Sequence, residues 1–119
     1  PLGVGVRVEV VMLFPLRQSV QNSNCMLTRV VKLTLHPENI AAFKAVFAQH
    51  KQHISAFEGC LELNAYQDNK SPEIFFTISR WTSEAHLDNY RYSDFFKSLW
   101  TVVKPMFAAK AEAHSMTIV

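Results

Sequence analysis

The chain has 119 residues, of which 49% are apolar and 18% charged, with a formal net charge of +2. That is enough for one packed domain and too apolar for a disordered chain. The charge is too small to argue for a nucleic-acid footprint, and no apolar run reaches the length of a membrane span.

Residues 1–25 read differently from the rest. Leu2 to Leu16 is apolar but interrupted by Arg7 and Glu9. No basic region precedes it and no small-residue cleavage site follows, so it does not read as a signal peptide. Val4, Val6, Val8 and Val10 alternate with Gly5, Arg7 and Glu9, a pattern that allows a short extra strand. Residues 1–25 are expected to be an N-terminal extension, with Met26 opening the domain proper, 26–119. Two cysteines, Cys25 and Cys60, make no disulfide framework and fit a reducing, cytoplasmic setting.

Leu27 to His36 alternates as a strand, with Leu27, Val31, Leu33 and Leu35 on one side. Pro37 and Glu38 suit the first turn of a helix. Ile40, Phe43, Phe47, Ile54 and Phe57 then recur at helical spacing, and Gly59 is the expected stop. Cys60 to Asp68 alternates again, a turn cluster follows at 68–72, and Ile74 to Trp81 predicts a third strand. Thr82 or Ser83 caps a short helix to Tyr90, and Ser93 caps a longer one with Phe96, Leu99, Trp100 and Val103 inward. Pro105 ends or kinks that helix, and Ala113 to Val119 closes the chain as a strand.

The order strand, helix, strand, strand, helix, strand predicts an α+β fold of the ferredoxin-like, split βαβ kind. Its four-stranded antiparallel sheet carries both helices on one face. Leu61, Leu63, Ala65, Ile74, Phe76 and Ile78 are expected under the helices. Asn64, Tyr66, Phe75, Thr77, Ser79 and Trp81 would then share the opposite face with Val30 and Thr34. Burying three such aromatic rings is worth on the order of 5 kcal/mol, so a homodimer with sheets packed face to face is expected to cover them. The space between each sheet and its own helices becomes a semi-polar pocket.

Four segments carry a resemblance. Leu27–Glu38 (LTRVVKLTLHPE), the Phe57-Glu58-Gly59-Cys60 turn, Phe75 to Leu87 (FFTISRWTSEAHL) and Tyr90 to Phe96 (YRYSDFF) resemble the antibiotic biosynthesis monooxygenase family. The Glu-Gly-Cys turn and the Trp81-x-Ser83-x-x-x-Leu87 segment are the most specific parts. The resemblance implies a dimeric α+β barrel. It also implies one of several activities: oxygenation of polyketide-derived quinols without metal or flavin, haem degradation, or processing of a signalling sugar. Trp81 matches the tryptophan that commonly ends the family's third strand. Tyr90 and Arg91 stand where many members place a histidine. In the haem-degrading branch an axial histidine follows a Ser-Asp-x-Phe-Lys segment. Ser93 to Lys97 matches that segment, but Trp100 stands at the histidine's place and Tyr90 where that branch has a tryptophan, so haem binding in that mode is not expected.

The favoured reading is a cofactor-independent monooxygenase, with no cofactor and no metal, whose partners are its own second copy, a small aromatic such as a quinol, and molecular oxygen. Trp81, Tyr90 and Asn64 are the candidate catalytic residues. Tyr66, Phe75, Thr77, Ser79, Arg91 and Trp100 are the candidate substrate-binding residues. Asn64, Tyr66, Thr77 and Ser79 would position substrate oxygens, Trp81 and Phe75 would stack on its ring, and Tyr90 or Arg91 would steady an anion. Each has a plainer role as packing, a solvated charge or a dimer contact. His50 and His53, three apart on one helix, lack an evident third metal ligand. His114 is weighed as a pocket base, and Cys60 as a small buried filler. The alternative is a non-catalytic dimer of the same fold that binds or senses a small molecule. RNA binding is disfavoured because the third strand, IFFTISRW, has no glycine and one arginine.

Overall fold

A computed structural model describes residues 26–119; the expected extension and extra strand at 1–25 lie outside the described residues. The elements run β1 (Leu27–Thr34), a 3-10 turn (Pro37–Asn39), α1 (Ile40–Ser55), β2 (Cys60–Gln67), β3 (Ile74–Trp81), α2 (Glu84–Arg91) and α3 (Asp94–Val103). A second 3-10 turn (Lys104–Met106) leads to β4 (Glu112–Met116). The strands form one antiparallel sheet in the order β2-β3-β1-β4, the ferredoxin-like α+β arrangement.

Local chemistry sets the boundaries. Gly59 ends the α1 segment at φ 87, where only glycine avoids a steric cost. Asp68 Oδ2 accepts from the backbone of Lys70 and Ser71 at 3.0 and 2.7 Å and so builds the β2–β3 turn. Ser83 Oγ accepts from His86 N at 3.2 Å, which makes it, rather than Thr82, the cap of α2. Ser93 caps α3 by accepting from Phe96 N at 3.1 Å and donates to Tyr90 O at 2.6 Å, which ties the two short helices together. Pro105 cannot continue the α3 ladder, and the chain tightens into the 3-10 turn there.

The pairing register corrects one expectation. Leu33 faces Phe75, Val31 faces Thr77 and Arg29 faces Ser79, while Leu63 also faces Ser79. Directly opposed residues share a face. Phe75, Thr77, Ser79 and Trp81 therefore lie beneath the helices, and Ile74, Phe76 and Ile78 lie on the helix-free face, the reverse of the expected assignment. Leu61 also departs: a bulge between Cys60 and Glu62 shifts the phase and leaves it exposed. The core cluster is Leu33, Leu35, Phe43, Phe75 and Val103, with Trp100, Leu99 and Phe107 packed against it.

Candidate active site

The sheet's inner face is a series of rows fixed by register. One row holds Cys60, Trp81 and Leu27; the next holds Leu63, Ser79, Arg29 and Ser115; then come Ala65, Thr77, Val31 and Ala113; and last Gln67, Phe75 and Leu33. The third row is built from small side chains, so the helices above cannot close onto it, and a hollow is left. Its volume is about 430 Å³, within the usual range for small-molecule sites. The sheet floor contributes Arg29, Thr77, Ser79 and Trp81. The helical roof contributes Phe43, Phe47, His50, Tyr90, Arg91, Phe96 and Trp100.

Trp81 is fully buried and anchors one end of the hollow. Its Nε1 donates to Ser79 Oγ at 2.9 Å, and its ring stacks on Tyr90 with centroids 5.4 Å apart. Tyr90 in turn meets Phe57 and Phe96 edge-on, each at 5.1 Å, and Phe96 stacks on Trp100 at 5.5 Å. This chain of rings makes a flat-sided slot suited to a planar guest.

Burial, and secondarily the charge of Cys60, pushes the Tyr90 phenol above its ordinary range, so it stays protonated. The folded state holds that proton where the unfolded chain releases it. Stability is therefore intact below about pH 10 and falls as pH rises beyond it. Tyr90→Phe is expected to flatten that alkaline decline in denaturant titrations at pH 9 to 11.5; an unchanged slope would contradict a buried phenol. Burial likewise raises the Cys60 thiol, against a reactive thiolate.

Of the expected site residues, Trp81, Tyr90, Thr77, Ser79, Arg91 and Trp100 line the hollow together. Three do not. Phe75 is packed into the core against Phe43 at 5.1 Å. Tyr66 is opposite Phe76 on the helix-free face and exposed. Asn64 is opposite Ile78, and its Oδ1 accepts from Lys51 Nζ at 3.4 Å near the β2 edge. His114, weighed as a base, pairs with Val30 on the helix-free face. Sequence reasoning missed Arg29 and His50 as wall residues. Arg29 follows the same odd-numbered phase as Val31 and Leu33, which was the available signal. His50 and His53 do not pair as ligands; both rings pack on Phe95, at 5.8 and 3.9 Å, and only His50 reaches the hollow. Among the described residues no cluster of three metal-ligating side chains occurs, and no helix is long and apolar enough to cross a membrane.

Comparison with solved structures gives the same architecture. A conserved protein from Methanosarcina mazei Go1 superposes with a TM-score of 0.77 at 23% identity, covering 83% of this chain and 98% of that one. A structure described as an antibiotic biosynthesis monooxygenase gives 0.73 at 20% identity, covering 78% and 98%. SnoaB, a cofactor-independent oxygenase from Streptomyces nogalater, studied as a point mutant, gives 0.71 at 18% identity, covering 78% and 92%. A search of curated proteins finds no match. The family model described as antibiotic biosynthesis monooxygenase matches residues 26–99, and this chain belongs to that family.

Proposed function

We propose that the protein is a cofactor-independent monooxygenase that oxidises a quinol or related hydroxylated aromatic in the hollow beneath its helices. The observation that carries this reading is the Trp81–Tyr90 stack closing an aromatic slot that also holds an imidazole, His50, among its lining residues. Family membership supports it, as does the likeness in fold to a protein described as a cofactor-independent oxygenase.

The chemistry starts with loss of a proton from the substrate, because an electron-rich aromatic anion reduces oxygen far more readily than the neutral form. Imidazole is the side chain suited to take that proton near neutral pH, and we assign this role to His50. Arg91 steadies the anion and Tyr90 donates a hydrogen bond to it. The anion passes one electron to oxygen, the resulting radicals join as a carbon-bound peroxide anion, and the proton taken up by His50 returns to it to give the hydroperoxide. Loss of water leaves a carbonyl: one oxygen atom stays on the ring carbon, and the other departs with the two hydrogens. Trp81 and Trp100 provide dry walls that keep bulk water from the intermediates.

Val30, Phe76, Ile78, Tyr66 and Met116 share the helix-free face by register. Packing two such faces in a homodimer would cover them. A cytoplasmic setting belongs to the same proposal.

Oxygen uptake by metal-free protein, followed across a panel of quinols and polycyclic phenols, tests the function. Uptake of one oxygen per substrate consumed is expected. His50→Gln should lower turnover about 100-fold. Binding with no uptake for any candidate would leave a small-molecule binder in place of an enzyme.

A further inference from the structure

Among the described residues, the two charged residues other than histidine that line the hollow, Arg29 and Arg91, are both guanidinium bearers, and no carboxylate lines it. They come from opposite walls. Arg29 rises from the sheet floor beside Ser79, and Arg91 stands at the end of α2. Their partners differ. Arg91 is held by Asp88, with Nη2 to Oδ1 at 2.9 Å and Nε to Oδ1 at 3.1 Å, and packs over the Tyr92 ring at 5.3 Å. Arg29 donates from Nη1 to the neutral Ser115 hydroxyl at 2.9 Å, and among the described residues it forms no ion pair.

A partly buried guanidinium bonded only to a neutral hydroxyl is free to take a counter-ion from a ligand. The pKa of Arg29 is lowered, first by burial and next by the charge of Arg91; Asp88 and Glu84 act in the opposite sense without cancelling it. Polarity also runs along the floor. Arg29, Ser79 and Ser115 share one row, whereas Leu33 and Phe75, four residues further along the same strands, are apolar. A guest with a ring system at one end and an anion at the other matches that gradient. A planar fork of donors on each wall suits an anion with two oxygens better than a single phenolate oxygen.

We propose that the hollow takes an aromatic carboxylate, its ring in the Trp81–Trp100 slot and its carboxylate at Arg29, with Arg91 as the second cation. This rests on the hollow being the substrate site, as proposed above, and adds the substrate's charge.

The test uses a matched pair, 2-naphthoate and 2-naphthamide, titrated into the full chain while tryptophan fluorescence is followed. Trp81 and Trp100 both line the hollow, so occupancy is reported directly. The acid is expected to bind at least about tenfold more tightly than the amide. Arg29→Gln should abolish that preference while amide binding persists, and Arg29→Lys should restore part of it. Persisting amide binding also shows that the variant is folded; if it is lost, Arg91→Gln provides the comparison and should reduce the preference. Equal affinities in the unmodified protein, or a preference untouched by Arg29→Gln and Arg91→Gln, would overturn the inference and leave the oxygenase reading standing. Binding of neither compound at millimolar concentration would overturn both.

Discussion

Trp81→Ala is expected to lower folding stability by about 3–5 kcal/mol and to abolish turnover. The indole is fully buried, stacks on Tyr90 and donates to Ser79. Its removal leaves a void that the β3 backbone cannot collapse to fill, because that strand is paired on both edges. It also leaves the buried Ser79 hydroxyl without its donor, a further loss already within that range. Trp81→Phe separates packing from function. The ring is kept in smaller form, the N–H is lost, and the cost should fall to roughly 1–3 kcal/mol. The slot loses its widest wall, so turnover should drop at least tenfold in a protein that still unfolds cooperatively. Urea melts and oxygen uptake on both variants check this. A phenylalanine variant with full activity would remove Trp81 from the site, and an alanine variant within 1 kcal/mol of the parent would refute its structural role.

The second large effect is at Gly59. Its φ of 87 lies in the left-handed region, where a side chain costs about 1–2 kcal/mol. A Cβ there would also overlap the Cβ and ring of His86. His86 cannot swing away freely. Its Nδ1 lies 2.8 Å from Thr82 Oγ1 and 3.0 Å from Ser83 Oγ, and its backbone N is the one capped by Ser83. Gly59→Ala should therefore cost about 2–4 kcal/mol in all. Because the displaced residues open α2, the helix that carries Tyr90 and Arg91, substrate binding should weaken alongside stability. His86→Gly in the Gly59→Ala background removes both the Cβ and the ring and should recover the steric part, less the roughly 1 kcal/mol helix cost of the new glycine. If the double variant is no more stable than the single, the clash is not the cause.

The element order was legible because each boundary has a local chemical cause: Pro37 opens the turn before α1, Gly59 ends it, serines cap α2 and α3, and Pro105 stops α3. Helix faces were legible too, since Phe96, Leu99, Trp100 and Val103 recur at 3.6-residue spacing and do line the hollow or core. The face of β3 was not. In IFFTISRW both alternating sets carry bulky apolar residues, and the set with Ile74, Phe76 and Ile78 looks the greasier. Periodicity alone assigns it to the core. In the fold that set faces away from the helices, and Thr77 and Ser79 floor a hollow where small polar side chains are tolerated. Register across β1 decides it, through Leu33 opposite Phe75, and such long-range pairing is invisible in one strand's pattern. That error in β3 joined its residues to Asn64 and Tyr66, which were read correctly as lying on the helix-free face. Trp81, Tyr90, Thr77 and Ser79 were grouped correctly as neighbours, but on the wrong side of the sheet.

The ion pair between Arg80 and Glu62, 3.3 Å apart on the helix-free face, is exposed and contributes little to stability. It shares that face with Phe76 and Ile78, where Lys32 stands directly opposite Phe76. The function proposed here needs that face only as a wall. The reacting groups all lie on the opposite side, within one subunit.

Oxygen-18 labelling is the most direct measurement. Protein stripped with chelator, with no added flavin or metal, is mixed with a hydroxylated aromatic under labelled oxygen gas. One labelled atom is expected in the product carbonyl and one in water, with the yield lost on Trp81→Phe or His50→Gln. A product that takes its oxygen from water, or a reaction that runs only after a metal or flavin is supplied, would contradict oxygenation by the bare protein hollow.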